Sequence, residues 1–156
     1  MSPVPEYIER RLRASVPDDS CVVPGSTPVI AFGDCLSAQV ATLGLNPSSQ
    51  EFLDGYESEL KGGDRRFETL SSLGVGSMKD ASSEVIQRAY DGCCRYFERR
   101  PYRFWFDPLE KVVNGVGASF YSGTACHLDL VQWATNPPSI LQKTARLRTL
   151  LQVPAG

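Results

Sequence analysis

The chain has 156 residues, of which 42% are hydrophobic and 22% charged, with a formal net charge of −2 at pH 7. This length and composition are typical of one globular domain with an ordinary core. They exclude the strongly basic class of protein that holds nucleic acid by overall charge alone, but they are compatible with a local basic patch. We predict a single domain over residues 1–156, with residues 1–28 as an N-terminal extension and loop.

Signals for a membrane, an export route or a metal site are weak. No apolar run approaches the length of a membrane span, and the N-terminus lacks the basic and then apolar pattern of a signal peptide. We therefore predict a cytoplasmic protein with no membrane partner. Five cysteines without a C-x-x-C pair, and a single histidine, argue against zinc or iron–sulfur ligation. We expect no metal and no cofactor, and we interpret the cysteines as buried thiols.

Hydrophobic periodicity predicts alternating helices and strands along the chain. An amphipathic helix is predicted over 6–14, and strands over 29–32 and 38–45 that are compatible with a hairpin. Further helices are predicted over 48–53, 67–73, 81–97, 107–113 and 140–151, and a strand over 125–133. The helix at 107 is expected to start there because Asp is favoured at the N-cap and Pro in the first turn. This alternation favours an α/β fold with some parallel pairing.

The stretch 40–48 is the most informative part of the sequence, because an apolar run ends there in Gly-Leu-Asn-Pro-Ser. Pro47 fixes its own φ and keeps Asn46 out of the helical region, so Asn46 is held on a turn past the strand end. Open α/β sheets bind their ligands at that edge. The sequence therefore predicts a binding site around the Asn46 amide.

Two motifs together resemble the uracil-DNA glycosylase superfamily. Residues 44–48 are similar to its first motif, in the Gly-x-Asn-Pro form of the mismatch-specific and single-strand-selective branches. His-Leu-Asp-Leu-Val-Gln-Trp over 127–133, followed by Pro137 and Pro138, resembles its middle strand and the loop after it. The resemblance covers roughly residues 38–138. It implies a three-layer α/β/α fold with a small, mostly parallel central sheet.

The resemblance also implies roles for individual residues. Asn46 would orient the attacking water, Asp129 would read the edge of the flipped base, and Phe67 would stack on that base. Substrate contacts are further expected from Gly44, Pro47, Ser48 and His127. Arg65 and Arg66 would meet DNA phosphates near the pocket mouth.

Base excision fits the chemistry of these residue types. The base must leave the stack and enter a pocket that stacks on it and reads its edge. Cleavage then passes through a cation-like sugar, so the attacking water needs positioning more than full deprotonation. An Asn carbonyl can supply this positioning. We predict a cofactor-free DNA glycosylase that hydrolyses the N-glycosidic bond of uracil or a related damaged base, with DNA as its partner.

One departure from the superfamily leaves alternatives open. Its later His-Pro-Ser or Asn-Pro-Ser motif, which stabilises the leaving base, does not occur in the sequence after residue 138. The chain is therefore expected either to be incomplete at its C-terminus or to be a non-catalytic relative that binds nucleic acid or nucleotides. A third possibility is a small α/β protein whose turn resembles the motif. Each residue also has a structural alternative: Phe67 in the core, Asp129 facing solvent on an alternating strand, and Arg65 and Arg66 solvating a loop.

Overall fold

The computed structural model describes residues 3–17 and 21–136. Pro137, Pro138 and the helix predicted over 140–151 lie outside the described residues. The described part holds two strands, β1 (Val40–Gly44) and β2 (Ala125–Asp129). Its α-helices are α1 (Glu6–Leu12), α2 (Leu70–Leu73), α3 (Ser83–Cys94) and α4 (Arg103–Asn114). Short 3-10 helices cover Ser49–Glu51, Gly62–Asp64 and Tyr96–Glu98.

The two strands pair in parallel, with Val40 opposite Ala125 and Gly44 opposite Asp129. Helices therefore accompany a small parallel sheet, which confirms the predicted α/β class and the predicted parallel pairing. Because the pairing is parallel, the carboxyl ends of β1 and β2 meet at one edge. The segments that follow Gly44 and Asp129 leave the sheet side by side.

The hairpin with which residues 29–32 and 38–45 are compatible is not formed among the described residues. Phe32 instead exchanges two backbone hydrogen bonds with His127, at N···O distances of 2.9 and 3.0 Å, in an isolated antiparallel bridge. Its ring packs edge-on against Phe67 and Tyr96, with centroids 5.1 and 4.9 Å away. Packing of the Phe32 ring in the aromatic core thus places residues 29–32 next to β2. The short turn at residues 33–35 had favoured pairing with β1 instead.

The predicted start of α4 at Asp107 is also wrong, because the helix begins at Arg103 and carries Pro108 inside it. A proline in a helix removes the bond to the carbonyl four residues earlier, here that of Phe104. Phe104 is 83% exposed, so the interrupted turn lies at the protein surface. The Asp107 carboxylate instead accepts a hydrogen bond from the Tyr121 hydroxyl, at 2.5 Å.

The core has two main parts. One is an aromatic cluster that joins the sheet to α4 and the 3-10 helix at 96–98, and its largest members are Phe32, Phe52, Phe67, Tyr96, Phe106 and Phe120. The other lies between α1 and α3, where Ile8 and Leu12 are buried against Ile86. The helix predicted over 6–14 is thus present as α1, and α1 and Val23 belong to the packing of the domain.

The described residues also bear on the predictions about a membrane span, a metal site and the cysteines. Among the described residues, no helix is long and apolar enough to cross a membrane. In the same ranges, no group of three or more His, Cys, Asp and Glu side chains is placed to hold a metal ion. Cys93 and Cys126 are buried, as predicted for small hydrophobic thiols, whereas Cys21 is exposed.

Candidate functional site

A cavity of about 580 Å³ opens at the carboxyl edge of the two strands. One wall is formed by residues 43–48 with Gln50 and Glu51, which lead from β1 into the first 3-10 helix. Asp129 and His127 of β2 face it, and aromatic residues from the start of α4 complete the wall. The predicted site at this edge of the sheet is therefore a real concavity.

Asn46 is fixed in this cavity through its amide nitrogen. Nδ2 donates to the carbonyl of Pro47 at 2.8 Å and to the hydroxyl of Thr135 at 3.0 Å. Both amide hydrogens are thereby used. What the side chain can still offer a ligand is its carbonyl oxygen, which is an acceptor. This is the group that a water-orienting asparagine must present.

Pro47 and Ser48 build the turn that holds Asn46. Pro47 is buried, and the Ser48 hydroxyl accepts a hydrogen bond from the Gln50 N–H at 3.2 Å, as the N-cap of the first 3-10 helix. Ser48 also forms a parallel bridge with Thr135, the residue that binds the Asn46 amide. The turn is thus tied to the segment after β2 by both main-chain and side-chain contacts.

His127 and Asp129 form a buried pair on the same face of β2, with exposed fractions of 4% and 7%. The Nε2 atom of His127 lies 3.2 Å from Oδ1 of Asp129, and Nδ1 lies 2.7 Å from the hydroxyl of Thr42. A neutral imidazole satisfies both contacts when Nε2–H donates to Asp129 and Nδ1 accepts from Thr42. In the part of the chain that the structure describes, no donor is found on Oδ2 of Asp129, so that oxygen can accept from a ligand.

Gly44 makes room for this pair. A Cβ added at Gly44 would collide with Oδ1 of Asp129 and would lie 2.9 Å from Nε2 of His127. Real Cβ atoms essentially never come that close to a neighbouring side chain. The glycine of the first motif is therefore required by the close approach of the two β2 side chains, and its role is to shape the cavity rather than to provide a turn.

Phe67 does not line the cavity, which corrects the predicted stacking role. Its side chain is 1% exposed and stacks between Tyr96 and Phe52, with centroids 4.8 and 5.7 Å away. Phe67 is therefore a member of the aromatic cluster of the core. The aromatic side chains that do line the cavity are Phe32, Tyr102, Phe104, Trp105 and Phe106.

Two of those aromatic residues form an exposed rim. Phe104 is 83% exposed and Trp105 is 55% exposed, although both are large and apolar. They lie in the first turn of α4 beside the cavity mouth. Phe106, in the same stretch, is instead buried in the aromatic cluster, and Phe97 is partly buried against it.

Glu51 lines the cavity and was missed by the sequence analysis. Its side chain is 3% exposed, and Oε2 accepts a hydrogen bond from the Tyr96 hydroxyl at 2.8 Å. Burial raises the pKa of Glu51 from 4.5 to about 7, against the opposing effects of the Tyr96 hydrogen bond and the Arg66 charge. Residues 48–51 match the Ser-x-x-Glu capping pattern, which predicts that the glutamate caps the start of a helix. This pattern gives no indication that the side chain is buried.

Arg65 and Arg66 lie outside the main cavity. The Arg66 guanidinium packs over the Tyr102 ring, 5.0 Å from its centroid, and Nη1 donates to the carbonyl of Arg100 at 3.1 Å. Arg65 lines a separate polar hollow with Glu68 and Arg99. The Nε atoms of both arginines are buried and have no hydrogen-bond partner within the described ranges. Their predicted contact with DNA phosphates stays a prediction.

The structure thus places most of the predicted site residues around one cavity: Gly44, Asn46, Pro47, Ser48, His127 and Asp129. Phe67 lies behind the cavity, and the two arginines lie beside it. Comparisons of the chain with family models, with characterised proteins and with solved structures find no match.

Proposed function

We propose that the protein binds a nucleobase extruded from DNA in this cavity and hydrolyses its N-glycosidic bond, with uracil or a related damaged base as the leaving group. One observation carries the proposal. Asn46, which follows β1, and Asp129, which ends β2, line one cavity with aromatic walls, and each has a side-chain oxygen without a donor among the described residues. An enzyme that excises a base needs this combination of a water-holding acceptor, an edge-reading group and flat apolar surfaces.

The same reasoning supports a uracil-DNA glycosylase-like arrangement of the chain. A parallel strand pair whose carboxyl ends hold the site is the central part of the three-layer α/β/α fold that the motifs imply. The remaining layers of that fold are part of the proposal.

Each group has a task in the proposed reaction. Oδ2 of Asp129 accepts the ring N–H of the base, a contact that an ionised carboxylate can make without donating a proton. The Asn46 carbonyl holds a water on the far face of the sugar. As the C1′–N bond breaks, its electron pair passes to the base, and the water oxygen bonds to C1′ and loses a proton.

The rim supplies the contact with DNA. Phe104 and Trp105 offer exposed ring faces on which neighbouring bases can stack without regard to sequence. The side chains of Arg100 and Arg103 are 62% and 63% exposed nearby in the chain, and each is paired with a carboxylate, Asp64 and Asp107, that a DNA phosphate would replace. Flipping is least costly in single strands, so we propose that single-stranded DNA is bound at this rim.

The test is uracil release from labelled single- and double-stranded oligonucleotides that carry one uracil, with enzyme in excess and abasic sites revealed by alkali. We expect the wild type to release uracil and Asn46→Ala to be slower by on the order of 100-fold. Asn114→Ala, which removes an exposed amide outside the cavity, is the matched control and keeps the wild-type rate. A wild type that releases no uracil from the cleavable oligonucleotides, yet binds an uncleavable 2′-fluoro-uridine oligonucleotide, would contradict hydrolysis. That result would support the non-catalytic alternative.

A further inference from the structure

The cavity contains a carboxyl group that the proposed reaction has not yet used. Glycosidic cleavage leaves an electron pair on the departing base, and a proton donor at the cavity wall lowers the barrier to that step. His127 is occupied at both ring nitrogens, by Thr42 and by Asp129. Asp129 already accepts from His127. Among the described residues, the acidic side chains at the cavity wall are Asp129 and Glu51, so Glu51 is left as the candidate proton donor.

The hydrogen bonds around Glu51 determine which oxygen can carry a proton. The Tyr96 hydroxyl oxygen accepts from the Tyr102 N–H at 2.8 Å, and its single hydrogen points to Oε2 of Glu51, also at 2.8 Å. Because Oε2 is engaged as an acceptor, the proton of a neutral Glu51 resides on Oε1. The 3-10 helix that begins after Ser48 holds this carboxyl on the same segment as Asn46.

We propose that Glu51 is a second catalytic residue of this cavity, the acid that transfers its Oε1 proton to the departing base. The proposal rests on the glycosylase function proposed above. As the C1′–N bond breaks, its electron pair goes to the base, which takes the Glu51 proton and leaves neutral. The proton lost by the attacking water passes to solvent, and Glu51 regains a proton from solvent before the next turnover.

The charges around Glu51 keep it ready for this task near neutral pH. Burial, and to a smaller extent the negative charge of Asp129, raise the pKa of the carboxyl, which lies at about 7 when all surrounding groups are included. The Tyr96 hydrogen bond and the charge of Arg66, whose Nε lies 4.0 Å from Oε2, act in the opposite direction. His127 faces the same cavity and is held by Asp129. A general acid works best when its pKa lies near the working pH.

Leaving-group dependence tests this assignment. Single-turnover release is measured for uracil and for 5-fluorouracil, whose anion is more stable and needs less help from an acid. We expect Glu51→Gln to lower the uracil rate by on the order of 100-fold and to lower the 5-fluorouracil rate much less. The wild-type rate should fall as pH rises through about 7, and the Glu51→Gln profile should lose that limb. Glu84→Gln, an exposed carboxyl on α3, is the control.

A second variant keeps the test decisive if Glu51→Gln folds poorly. Tyr96→Phe retains the carboxyl but removes the hydrogen bond that favours its ionised form, so the descending limb should move to higher pH. Equal loss for both bases, or an unchanged pH profile in both variants, would overturn the acid role while uracil release by the wild type upholds the proposed function. A wild type that releases neither base would refute both.

Discussion

Gly44 and Asp129 lie opposite each other in the parallel register of β1 and β2, and the carboxylate of Asp129 occupies the space that a side chain at Gly44 would need. The same space borders His127, whose ring would lie 2.9 Å from an added Cβ. One absent side chain therefore allows two polar side chains of β2 to approach the end of β1. The first motif and the middle strand of the sequence are coupled through this contact.

Gly44→Ala should displace Asp129 and His127 from the cavity wall. We expect a loss of stability of about 1–3 kcal/mol from overpacking, together with a loss of affinity for uracil-containing single-stranded DNA. Gly76→Ala is the matched control, because an added Cβ there meets nothing within 4 Å. Urea unfolding and fluorescence anisotropy measure the two effects. Wild-type affinity in Gly44→Ala would show that the Asp129 position is unimportant for binding.

Much of this arrangement could be predicted from the sequence, because it depends on local patterns. An apolar run that stops at Gly-Leu-Asn-Pro-Ser gave the strand end and the fixed amide. Strand alternation placed His127 and Asp129 on one face, and their hydrogen bond confirms it. Parallel pairing followed from alternation of helices and strands. These features involve neighbours in the chain or a single periodicity.

Features that depend on distant parts of the chain could not be predicted. Phe32 pairs with His127 because the aromatic core fixes its ring, although a short turn in the sequence favours a hairpin. The burial of Glu51 depends on Tyr96, 45 positions later in the chain. Whether Phe67 or another aromatic residue faces the cavity is likewise decided by packing. Local sequence carries no signal for such contacts.

Phe67 and Phe106 provide a test of which aromatic ring serves the cavity. Both are fully buried, but Phe106 lines the cavity and Phe67 does not. Replacing either by Leu should lower the free energy of unfolding by about 1–3 kcal/mol. We expect Phe67→Leu to keep the wild-type rate of uracil release under conditions where it is folded, and Phe106→Leu to reduce it. The opposite order would restore the stacking role predicted for Phe67.

Trp105 should bind DNA without contributing to the fold. Its ring is 55% exposed beside the cavity mouth, so Trp105→Ala should leave the urea midpoint unchanged. Loss of one stacked base should weaken binding of a single-stranded oligonucleotide by about 1–3 kcal/mol, measured by anisotropy. Tyr7→Ala removes an aromatic ring of similar exposure, 54%, from α1 and should bind normally. Equal affinities of wild type and Trp105→Ala would exclude the rim as a DNA contact.

Glu51 should also make the stability of the protein depend on pH. The folded protein holds this proton more tightly than the unfolded chain does, because burial raises the pKa of Glu51 from 4.5 to about 7. The resulting stabilisation is fully present below pH 4.5 and is lost as the pH rises to about 7. The glutamine of Glu51→Gln does not ionise. Between pH 4.5 and about 7, the free energy of unfolding of this variant relative to wild type should therefore rise by on the order of 3 kcal/mol. Urea unfolding at several pH values measures the difference, with Glu84→Gln as the control that should show none. A difference between Glu51→Gln and wild type that stays constant with pH would mean that the carboxyl titrates normally, as an exposed glutamate does.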